Sequence, residues 1–67
     1  MLQELIIEWL RGIPAERRRI FLLRYFDCES TGSIAVMIGK SEGSVRTMLS
    51  RLRAELRAAL IREGYTL

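Results

Sequence analysis

A chain of 67 residues with no histidine, a single aspartate and a single cysteine lacks the usual general base, the ligand sets that hold metals and any Cys–His pair, and it has no Gly-rich phosphate loop. The length allows one domain over residues 1–67, burying only about 60% of its unfolded surface; Cys28 cannot close an internal disulfide, there is no apolar run long enough to span a membrane, and with Glu4 and Glu8 near the start and no basic beginning a signal peptide is not expected. The net charge of +3 is uneven: residues 1–39 hold five arginines against five acids, while residues 40–67 hold six basic groups against Glu42, Glu55 and Glu63, and this local excess is either a solvated helix face or a footprint for a polyanion.

Leu2, Leu5, Ile6, Trp9 and Leu10 recur at helical spacing, with Gln3, Glu4, Glu8 and Arg11 opposite them, which predicts a first helix over residues 2–11. Gly12 is expected to end it in the C-terminal glycine role. Pro14 suits the first turn of a second helix over about residues 14–26, where a missing N–H costs little. From Ile20 to Phe26 that helix is apolar nearly all round, the mark of a buried central element. Residues 27–29 form a loop. Ser30 is placed to cap a third helix over residues 31–38, which turns Ile34, Ala35 and Ile38 inward, although Gly32 weakens it by roughly 1 kcal/mol relative to alanine.

Gly39 permits the positive φ of a sharp turn, Ser41 caps a fourth helix over about residues 42–63, and Glu42 complements the helix dipole. Val45, Leu49, Leu52, Leu56 and Leu60 make one apolar stripe, bordered by Met48 and Ala59. Arg46, Thr47, Ser50, Arg51, Arg53 and Arg57 project elsewhere, with the small residues Ala54 and Ala58 among them. Gly64 ends the helix, leaving residues 65–67 as a short tail. The expected fold is therefore all-α, four helices containing a helix-turn-helix whose second member is long, basic and free to lie in a DNA major groove.

The run 13–26, I-P-A-E-R-R-R-I-F-L-L-R-Y-F, is followed by S-x-x-x-I-A-x-x-I-G-x-S-E-G-S-V-R-x-x-L-S-R-x-R-x-x-L over residues 30–56. Together they resemble region 4 of bacterial RNA polymerase sigma factors of the extracytoplasmic-function group, whose pattern is L-P-x-x-x-R, L-R-Y-F, S-x-x-E-I-A, L-G-x-S-x-G-T-V and S-R-x-R. The resemblance covers residues 10–60 without a gap. It implies a cytoplasmic, nucleoid-associated domain that binds the −35 promoter element as double-stranded DNA, contacts the flap of the polymerase β subunit and can be masked by an anti-sigma factor. It implies no enzyme activity, cofactor, metal or membrane partner. The recognition helix would be residues 42–57 and the turn residues 39–41.

On that reading Arg46, Thr47, Ser50 and Arg51 reach base edges or groove phosphates, and Arg53 and Arg57 reach phosphates. Ser41 and Ser44 offer backbone N–H groups to a phosphate at the helix start, and Lys40 holds one as a point charge. The pattern is departed from at Ser33, where a glutamate is usual, and at Met48, where a basic residue is frequent. Ser33 removes the reciprocal half of an S-x-x-E capping box and leaves Arg18 without that carboxylate; Met48 is expected at the edge of the core. Region 2, which recognises the −10 element and melts DNA, has no room here, so this polypeptide alone is not expected to open a promoter.

Two other readings use the same residues. In one, the fold is kept to bind the polymerase flap, an anti-sigma factor or a second copy of itself by weak self-association, with Ile7 and Ile61 exposed. In the other, the chain is the output domain of a response-regulator-type activator, against which the segments 13–18 and 23–26 argue.

Overall fold

A computed structural model of the protein describes residues 2–65. Among them the chain is all-α: α1 (Leu2–Gly12), α2 (Ala15–Tyr25), α3 (Thr31–Ile38) and α4 (Glu42–Arg62). Of the expected tail, Tyr65 is described, and residues 66 and 67 lie outside the described residues.

Helix α4 is the spine on which the others are laid. Val45 and Leu49, from its first half, join Ile20, Ile34 and Ala35 in a cluster under the helix-turn-helix, with Leu23, Ile38 and Met48 at its edge. Leu52, one turn on, joins Leu10 and Phe21 in a second cluster, with Ile6, Trp9, Ile13, Leu22 and Leu56 against it. Successive helical residues diverge by about 100°, so Ile20 and Phe21, adjacent in α2, each serve a different cluster. Phe21 meets Trp9 edge-on at 5.4 Å between ring centroids and Tyr25 at 4.8 Å, which ties α1 to α2.

Four boundaries differ from expectation, the smallest being the end of α4 at Arg62, with Glu63 as its C-cap. Helix α1 runs through Gly12, which does not turn left-handed; the chain leaves through an Ile13 N–H bond to the Leu10 carbonyl. Pro14 is the N-cap of α2 (φ −57°, ψ 147°), one position earlier than the first turn, and its carbonyl accepts the Arg18 N–H. The end of α2 is not buried: Tyr25 is exposed and Phe26, past the helix, is 67% exposed. Arg18 finds its acceptor in the Leu10 carbonyl, 3.4 Å from Nη1, so it braces α2 on α1. Ile7 and Ile61 are exposed, and Met48 packs at the core edge, as expected.

Candidate nucleic-acid interface

The turn between α3 and α4 sets the site. Gly39 adopts the left-handed conformation (φ 70°, ψ 33°), and the Gly39 and Lys40 N–H groups return to the Val36 and Ala35 carbonyls, the paired bonds that close a helix with a glycine. Ser41 is then extended and caps α4: its Oγ accepts the Ser44 N–H at 3.1 Å and donates to Ser44 Oγ at 3.0 Å. Ser30 repeats the device on α3 with Ser33, whose hydroxyl accepts from Ser30 where the family pattern has a glutamate.

This capping corrects one detail of the sequence reading. The Ser44 backbone N–H is taken by Ser41, so it is not available to a phosphate. The N–H groups of Glu42 and Gly43, in the first turn, have no intrahelical partner.

Around α4 the predicted residues separate into two rows on either flank of its outward face. Ser44, Thr47 and Arg51 form one row, and with Lys40, Ser41, Gly43 and the half-buried Met48 they line an open surface depression at the start of the helix. Arg46, Ser50, Arg53 and Arg57 form the other row, all exposed.

Their electrostatic states differ. Lys40 Nζ pairs with Glu16 at 3.0 Å, Arg46 Nη2 with Glu42 at 3.1 Å, and Arg53 Nη1 donates to the Tyr25 hydroxyl at 2.8 Å. Arg51 and Arg57 make no ion pair or hydrogen bond to another described residue. Glu42 Oε2 accepts a second bond, from the Thr31 hydroxyl across the turn at 2.7 Å. Sequence reasoning missed Thr31, Tyr25 and Glu16 as partners of the site. The Glu42–Arg46 pair was legible as an i, i+4 spacing; the others depend on how α2 and α3 cross α4, for which a single sequence carries no signal.

Residues 3–56, from α1 through most of α4, match the family model of sigma-70, region 4. The chain belongs to the sigma-70 region 4 family. Region 4 is a DNA-binding regulatory unit with no enzymatic role, and its helix-turn-helix here is α3 and α4. The region 4 chain is also 34% identical over 55 residues to a protein described as a probable RNA polymerase sigma factor, RfaY, of Xanthomonas campestris pv. campestris. Those residues are 82% of this chain and 14% of that protein, so the chain spans a small part of its relative's length. No solved structure matches the chain.

Proposed function

We propose that this region 4 domain binds the −35 element of bacterial promoters as double-stranded DNA, with α4 in the major groove, as part of a sigma factor of the extracytoplasmic-function type acting on the nucleoid in the cytoplasm. The observation that carries the reading is the depression at the start of α4, where an uncommitted guanidinium, Arg51, stands beside Lys40, Ser41, Ser44 and Thr47. A bidentate arginine on guanine is the commonest specific contact in the major groove, and Thr47 and Ser44 can donate to or accept from a neighbouring base edge. A phosphate at the helix start is met by the Glu42 and Gly43 N–H groups and by Lys40, whose exposed pair with Glu16 lacks the second hydrogen bond that Thr31 gives Glu42 and so yields more readily. Arg46, Ser50, Arg53 and Arg57 face the opposite wall of the groove.

Selection of bound sequences from random duplex DNA, followed by titration of the selected site at several salt concentrations, tests this. The expected result is a −35-type consensus and binding that weakens steeply with salt. Arg51→Ala should cost about 1–3 kcal/mol on the selected site and much less on random duplex. Equal losses on both would assign Arg51 to phosphate, and no duplex binding at low salt would reject the reading.

A protein partner is favoured by a separate observation. Val36 is 83% exposed and Met37 is exposed beside it on the outer side of α3. In this reading they and Phe26 are offered to the polymerase β flap or to an anti-sigma factor. Val36→Ser should then abolish capture by a purified β flap while leaving duplex affinity unchanged; unchanged capture would remove Val36 from that role.

A further inference from the structure

Glu42 stands in the first turn of a helix proposed to enter a polyanion, where a carboxylate opposes phosphate binding. Its surroundings give it another task. Oε2 accepts the Thr31 hydroxyl at 2.7 Å and the Arg46 guanidinium at 3.1 Å, so one oxygen links the start of α3 to the outer row of α4. A Cβ at Gly32 would stand 3.8 Å from Oε2, in ordinary contact, so the carboxylate lies beside the first turn of α3, where the positive end of that helix favours it. The carboxylate is thus held from the α3 side, and Arg46, whose side chain is otherwise largely in solvent, is held by the carboxylate.

A free arginine samples many rotamers and finds the nearest phosphate on any sequence. An arginine held through one Nη keeps its remaining N–H donors in a fixed fork, and loses less freedom on meeting a base. We infer that Glu42 is a specificity-determining positioning residue: anchored on α3 by Thr31, it fixes Arg46 for base readout and, by its charge, disfavours the loose phosphate-bound arrangements common to all sequences. This rests on the DNA-binding reading above and adds to it the element that separates the correct site from random duplex.

The test compares affinities for the selected duplex and for random duplex in wild type, Thr31→Val, Glu42→Gln and Arg46→Ala, and in Arg46→Ala combined with Thr31→Val. Thr31→Val keeps the local Glu42–Arg46 pair and removes only the anchor. It should lower the ratio of specific to random affinity roughly three- to ten-fold, the worth of one hydrogen bond. Glu42→Gln should tighten random binding and lower the same ratio. In the Arg46→Ala background, Thr31→Val should leave the ratio unchanged, which a merely structural role of Thr31 would not predict. A ratio unaffected by Thr31→Val or Glu42→Gln in an otherwise sequence-specific wild type overturns the inference and leaves the DNA reading standing; so does a Thr31→Val effect that persists without Arg46. A wild type that binds no duplex, or binds all duplexes alike, overturns both.

Discussion

Gly39 and Gly43 stand four residues apart, and the same substitution should act on them with opposite sign. A Cβ added at either meets no protein atom within 4 Å, so sterics between side chains drop out and only the backbone decides. Gly39 sits at φ 70°, where an L-residue is strained by about 1–2 kcal/mol, partly offset by the ~0.4–1 kcal/mol that alanine removes from the freedom of the unfolded chain. Gly39→Ala should therefore lose about 1 kcal/mol, a fall in melting temperature of roughly 5 °C for a domain this small. Gly43 lies in the first turn of α4 and has no positive φ, so Gly43→Ala should gain about 0.5 kcal/mol, below the full mid-helix difference. Its new methyl, however, projects into the depression lined by Lys40, Ser44 and Arg51. Urea titrations followed by circular dichroism give the stabilities, and duplex titrations give the affinities. The expected pattern is Gly39→Ala less stable, and Gly43→Ala more stable but weaker on DNA. A Gly39→Ala protein as stable as wild type would refute the left-handed turn. A Gly43→Ala protein that binds duplex undiminished would refute the placement of the groove.

Leu52→Ala removes the α4 member of the second cluster, where Leu10 and Phe21 close on it, and should cost about 2–5 kcal/mol. Set against the roughly 3–10 kcal/mol expected of a chain this length, that removes about half of the stability and should lower the urea midpoint by about half. Ser41→Ala removes the cap of α4 and should cost about 1 kcal/mol in the same urea titration, with Ser41→Asp retaining most of it. Cys28 holds φ 57° in the loop after α2, so Cys28→Gly should raise the urea midpoint by the equivalent of about 0.5–1 kcal/mol, a sign opposite to the usual effect of adding glycine.

Much of this was legible in the sequence because the signals are local. The stripe from Val45 to Leu60, the serine caps at 30 and 41 and the glycine turn at 39 each depend on neighbours within a few positions, and each is found where the pattern puts it. Gly12 was misjudged because a glycine after an apolar repeat can end a helix by turning left-handed or simply be its last residue, and the Pro14 two positions later had already fixed the exit. The end of α2 was misjudged because hydrophobic character all round a helix signals burial only where other elements exist to cover it. With three other helices among the described residues, Phe26 is still left 67% exposed. The division of the candidate site into two rows could be drawn from helical angles alone. Which cation in each row is already engaged could not, since Glu16, Thr31 and Tyr25 lie on other helices.

That engagement bears on how the site answers salt. Of the six basic groups in the last third of the chain, Lys40, Arg46 and Arg53 are held by Glu16, Glu42 and Tyr25 at rest. Each phosphate neutralised contributes about −0.9 to the slope of log affinity against log salt. On the selected site, with Arg51 on a base, Arg57 alone gives a slope of about −0.9; Lys40 and Arg53 released as well give about −2.7, and Arg46 turned to phosphate would bring it to about −3.6. The intermediate value is the one consistent with Arg46 kept on a base by Glu42. On random duplex the slope should then be steeper for Glu42→Gln, where nothing holds Arg46 back from phosphate, than for wild type, and equal for the two if Arg46 was never held at all. The modest charge of this domain is thus no measure of its reach for DNA: what decides it is how many of those cations leave a protein partner when the duplex arrives.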